Sequence, residues 1–173
     1  MLRLVRVVIC DTLLVRVASD EANRHGAMRL HPRQFVRFID GRLASPTTIA
    51  SLPAELGVKM GCSSINIQIT RDRARKIMTE HRLRYEHFSL IQRAVDHGWC
   101  VRFKDNQLEF CYDDDEVFGG SFVLVLKSTK WGTECWVVTF FRARPFYIRS
   151  KLRRATRTGT VIRYHEGAAE LMG

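Results

Sequence analysis

Two apolar runs joined by a polar turn, SFVLVLKSTKWGTECWVVTFFR at residues 121 to 142, stand at the centre of the hydrophobic pattern. Phe122 to Leu126 is apolar at every position, which predicts a strand covered on both faces and set inside a sheet. Cys135 to Phe141 is nearly as apolar, and STKWGT between them supplies a hairpin loop. Lys127 and Thr139 are the polar residues that stand out in this pair.

The flanking pattern predicts further elements. Residues 2 to 18 alternate branched residues with arginines, as a hairpin or one bent strand, and the polar SDEANRHGAMRL reads as a loop. Pro32 suits a first helical position, with Phe35, Val36, Phe38 and Ile39 as the apolar stripe and Gly41 as the stop. Residues 45 to 64 hold two prolines and two glycines, so a boundary is placed there: 1–60 as an accessory β/α segment, 61–173 as the main domain. TIASLPAELGV has a passing likeness to a helix-turn-helix, weakened by Pro53 in its middle.

INIQI alternates as a strand, and Thr70 can cap a helix that has Asp72 in its first turn. Along that helix Ala74, Ile77 and Met78 form the inward stripe, and His81 continues it. His81 therefore faces the body of the protein, either as a core histidine or at the rim of a cleft. A second helix is predicted from Arg84, with Tyr85, Phe88, Ile91 and Val95 inward, Gly98 at its end, and His87 and His97 on a solvated face. WCVRF and LEFCY around KDNQ read as a hairpin, and the run Asp113 to Glu116 as a solvated loop. Helices followed by hairpins give an α+β fold class.

Charge narrows the partners. Lys and Arg number 28 against 18 Asp and Glu, a formal +10, which points to a polyanion: nucleic acid or an acidic membrane surface. No apolar run is long enough to span a bilayer, and Arg3, Arg6, Asp11 and Arg16 interrupt a signal-like start, so a cytoplasmic site of action is expected. Five cysteines without a CxxC pair indicate reduced structural thiols. His81 and His87 lack the i, i+4 spacing of a helical metal pair, so neither a metal site nor a cofactor is expected. Arg142 to Tyr164 carries eight Lys or Arg and no acid, interleaved with aromatics. Arg144, Arg149, Lys151, Arg153, Arg154 and Arg157, with Tyr147 and Tyr164, are the predicted RNA-binding set, because cations meet phosphates while aromatic faces accept bases.

ITRDRARKIMTEH, a hairpin, and then FVLVLKSTKWGTECWVVTFF resemble the phage-associated branch of the barnase, EndoU, colicin and RelE class of ribonucleases, over roughly residues 64 to 142. The resemblance implies N-terminal helices packed on a small antiparallel sheet and RNA cleavage without a metal. It matches His81 to the helix histidine, Lys127 to a lysine closing a strand, and Thr139 with Phe141 to a Thr-x-Tyr strand pattern. Phe141 lacks the hydroxyl, so another group must supply whatever that tyrosine donates. A cognate antitoxin or immunity protein is a further implied partner, and the cytoplasm of an infected host an implied site of action.

Cleavage by the RNA's own 2′-hydroxyl, leaving a 2′,3′-cyclic phosphate, needs a base, an acid and positive charge on the phosphate; one positioned acid or base is worth roughly 10²- to 10⁴-fold. His81 is the candidate acid or base. Lys127 or Arg142 is the candidate phosphate anchor, and Thr139 its hydrogen-bonding positioner. A six-residue hairpin loop would set Lys127 opposite Glu134 and Arg142 near residue 119, about 25 Å apart, and on opposite faces Lys127 and Thr139 unless a bulge intervenes. The alternatives are a non-catalytic nucleic-acid-binding phage protein or inhibitor, and a module that binds an acidic protein.

Overall fold

The computed structural model describes residues 30–163; the predicted N-terminal strands, Cys10 and Tyr164 lie outside them. Seven strands form one sheet in the order β1 (Thr47–Ser51), β2 (Asn66–Ile69), β6 (Cys135–Ala143), β5 (Ser121–Ser128), β4 (Gln107–Asp113), β3 (Trp99–Lys104), β7 (Val161–Arg163). Neighbours are antiparallel except β2 and β6, which run parallel through Ile67↔Cys135 and Gln68↔Trp136. The helices are α1 (Pro32–Ile39), α2 (Ala54–Met60), α3 (Arg71–His81), α4 (Leu90–His97) and α5 (Pro145–Arg157). The class is α+β, but the helices are spread along the chain rather than gathered at its N-terminus, and the sheet is larger than the predicted one. None of the described helices is long and apolar enough to cross a membrane.

β5 explains its own composition. Phe122, Leu124 and Leu126 enter the main core with α1, α2 and α4, whereas Val123 and Val125 face the second core beneath α5. Both faces are covered, so neither needs a polar residue. Phe35, Phe38, Ile49, Leu52, Leu56 and Met60 share the main core with Ile67, Phe122 and Phe140, so the described part of 1–60 packs as one body with the sheet. TIAS is a strand, and Pro53 opens α2 rather than breaking a longer helix.

α3 begins as predicted, with the Thr70 side chain accepting from the Arg73 N–H at 3.2 Å. It ends at Arg82, whose φ of 52° turns the chain so that the Leu83 N–H also reaches the Met78 carbonyl, at 3.2 Å. The continuous helix expected from Arg84 is instead a 3₁₀ segment, Tyr85–Ser89, leading into α4. In that segment His87 is buried and Tyr85 is exposed. The acidic loop is also less solvated than expected: Asp114 is buried, accepts the Phe118 N–H at 2.6 Å and pairs with Arg93.

α5 forms because Pro145 suits N1 and because Ile148, Leu152 and Ala155 recur at helical spacing, giving one apolar stripe against Trp99, Val101, Cys111 and Val123. The stripe is reinforced by the Lys151 ammonium, which hydrogen-bonds the buried Glu109 carboxylate on β4.

Candidate functional site

The site grows from an interruption in the sheet. β2 pairs only with the first residues of β6, and from Val138 onward that edge of β6 carries no described strand. A bulge at the same point opposes Val125 to Thr139 and Leu126 to Val137, leaving Val138 unpaired in the ladder. The bulge reverses the alternation: Phe140 and Arg142 continue the side of Val137, and Thr139 and Phe141 turn to the α5 side. α3 runs along the open edge, and its last residue arrives where the faces meet.

There His81 Nε2 lies 3.1 Å from the Thr139 hydroxyl, and the His81 ring is 5.4 Å from Phe141. A hydroxyl both donates and accepts, so this bond survives either protonation state of the ring. His81 is half-buried and borders a cleft instead of lying in the core. It lines a depression of about 520 Å³ with Arg82, Leu83, Arg84, His87, Val117, Phe118 and Arg142.

Arg142 is anchored without being used up. Its Nη2 donates to the Phe118 carbonyl at 2.8 Å and to that of Gly119, and its guanidinium lies over the Phe122 ring at 5.5 Å. Nε and Nη1 make no hydrogen bond among the described residues, so three N–H donors stay available on a held plane. Gly120, at φ +95°, lets the plane lie close; a Cβ there would come within 3.4 Å of Arg142 Nε. Arg82 and Arg84 add exposed positive charge, and the nearby Glu86 carboxylate pairs with Arg84 at 3.9 Å.

Lys127 is elsewhere. Its cross-strand partner is Trp136, not Glu134, whose carboxylate accepts from the Trp136 indole at 3.2 Å. The bulge puts Lys127 on the same side as Thr139, yet it lines a different depression, with Thr70, Arg73, Trp136 and Val138. Trp136 and Arg142 are six residues apart on β6. At about 3.3 Å per residue that separates Lys127 from Arg142 by roughly 20 Å along the strand.

The predicted RNA-binding set also divides. Arg149, Arg153, Arg154 and Arg157 project from the outer face of α5 and, with Phe146 and Ser150, line a trough of about 540 Å³. None of the four is paired with a carboxylate among the described residues. Arg144 is exposed at the helix N-cap. Lys151 is taken up by Glu109, donates to the Tyr147 hydroxyl at 3.1 Å and lies over the Phe103 and Tyr147 rings. Burial works against its ammonium, but the Glu109 and Tyr147 oxygens outweigh that and raise its pKa above the ordinary lysine value. Tyr147 meets Phe141 edge-on at 6.0 Å, so His81, Phe141 and Tyr147 connect the depression to the start of the arginine helix.

His87, placed on a solvated face because its sequence neighbours are polar, is the residue that sequence reasoning missed. It is only 8% exposed and walls the same depression. No local pattern marks it, since Arg84, three residues earlier, is exposed. No protein-family model, curated protein or solved structure matches this chain.

Proposed function

We propose that the protein is a metal-independent endoribonuclease that cleaves RNA by attack of the 2′-hydroxyl on the adjacent phosphodiester, acting in the cytoplasm where its substrate is found. One observation carries the reading: an imidazole held to a hydroxyl at 3.1 Å opens into the same depression as an arginine with donors to spare. His81 Nδ1, which has no partner among the described residues, takes the proton of the 2′-hydroxyl, while Nε2–H donates to Thr139 and keeps the ring oriented before and after the transfer. Arg142 meets the non-bridging oxygens of the phosphorane with N–H groups held in place beforehand, so little reorganisation is needed as charge develops. The arginine face of α5 takes the flanking phosphates, leaving Lys151 to its structural pairing.

The test is incubation of the purified protein with RNA in EDTA beside His81→Ala, with product ends mapped. Expected are 2′,3′-cyclic phosphate ends from the wild type and a loss of about 10²- to 10⁴-fold in the variant. An inactive wild type, or a variant as active as the wild type, would refute the reading.

The unpaired arginines of α5 equally favour a second reading, a non-catalytic nucleic-acid-binding protein. It requires salt-sensitive binding of RNA or DNA, no cleavage, and no effect of His81→Ala.

A further inference from the structure

Cleavage also requires an acid for the departing 5′-oxygen, and His81 cannot give a proton there in the step in which it takes one from the 2′-hydroxyl. The depression holds a second imidazole. The His87 ring is clamped 4.6 Å from Phe118 and 5.9 Å from Phe122. Both also hold Arg142, through the Phe118 carbonyl and the Phe122 ring. His87 and the anchoring guanidinium are therefore positioned by the same pair of phenylalanines.

Its hydrogen bonds suit proton transfer. Nδ1 accepts the Arg84 N–H at 3.0 Å and lies 3.2 Å from the Arg84 carbonyl oxygen. Protonation of Nδ1 exchanges that bond for one to the Arg84 carbonyl, and the ring left neutral when Nε2 gives up its proton keeps Nδ1–H on that carbonyl, so Nδ1 has a partner throughout the transfer. Nε2, on the opposite side of the ring, has no partner among the described residues and is not a sealed, unsatisfied atom. A ring serving only as a backbone cap has no need to border a depression with His81 and three arginines.

Resting on the ribonuclease reading, we propose that His87 is the general acid of the reaction. The 2′-oxygen forms a bond to phosphorus as its proton passes to His81 Nδ1. The bond from phosphorus to the 5′-oxygen breaks as that oxygen takes the proton from His87 Nε2. The products are a 2′,3′-cyclic phosphate and a 5′-hydroxyl, with one proton gained by His81 and one lost by His87. A strand without a 2′-hydroxyl is bound but not cut.

His87→Asn tests this without removing the cap, because the asparagine Oδ1 can accept the Arg84 N–H in place of Nδ1. Two substrates are compared: a dinucleotide, whose alkoxide leaving group needs a proton, and a nucleoside 3′-(4-nitrophenyl) phosphate, whose leaving group does not. His87→Asn is expected to slow dinucleotide cleavage about 10²- to 10⁴-fold and nitrophenyl release by less than about threefold, whereas His81→Ala slows both. Equal losses on the two substrates would make His87 a structural cap, and no loss on either would exclude it from the reaction. Both of those results overturn the proposal while leaving a wild-type ribonuclease standing. A wild type that cleaves neither substrate overturns the ribonuclease reading and this inference together.

Discussion

Replacing Lys151 by methionine separates a structural charge from a nucleic-acid contact. Glu109 is 2% exposed and the Lys151 side chain 23% exposed, so the substitution leaves a carboxylate on β4 desolvated with its ionic partner removed. Breaking a buried pair from one side costs roughly 3–5 kcal/mol, and the partial exposure of Lys151 favours the lower end. For a chain of this size about 3 kcal/mol corresponds to a fall in Tm of roughly 6–12 °C. Methionine keeps the aliphatic stem against Phe103 and Tyr147, so lost packing contributes little to the fall. Replacing both partners, Glu109→Leu with Lys151→Met, removes the stranded charge and is expected to return stability to within about 1 kcal/mol of the wild type. Calorimetry of the two single variants and the double variant closes the cycle, and RNA titrations of Lys151→Met at several salt concentrations are expected to keep the wild-type slope. A single variant that melts with the wild type, or a double variant no more stable than the singles, would refute the buried-pair argument. A shallower salt slope would return Lys151 to the RNA-binding set.

Arg153→Ala and Arg157→Ala are expected to do the reverse: each leaves Tm nearly unchanged and lowers the salt slope of RNA binding by about 0.7 for single-stranded RNA, measured by the same titrations. At alkaline pH the buried thiols set the trend, since burial pushes Cys100, Cys111 and Cys135 from 9.0 up to about 12. Unfolded thiols ionise first, so stability is full below about pH 9 and declines as pH rises towards 12, which denaturant melts across that range would record.

The local pattern determined most of the elements. An all-apolar Phe122 to Leu126 has one outcome, an interior strand, and Pro32, Thr70 and Gly98 mark helix ends through backbone chemistry that needs no distant partner. The inward direction of His81 follows from the same reasoning, because Ala74, Ile77 and His81 share one helical stripe. Tertiary structure decided what those side chains meet. The bulge at Val138 set which residues of β6 lie on each side of the sheet, and one unpaired residue reverses a period-2 pattern without leaving any mark in composition. That register set Lys127 opposite Trp136 instead of Glu134 and left it roughly 20 Å from Arg142, separated as the hairpin geometry predicts. Lys151, one of eight cations in an acid-free segment, found its partner 42 residues away on β4, beyond the reach of any local charge count. His87 is buried in a 3₁₀ segment, against Phe118 and Phe122. Sequence fixes periodicity and chemistry along the backbone; packing selects which period a short segment adopts and which distant charge it neutralises.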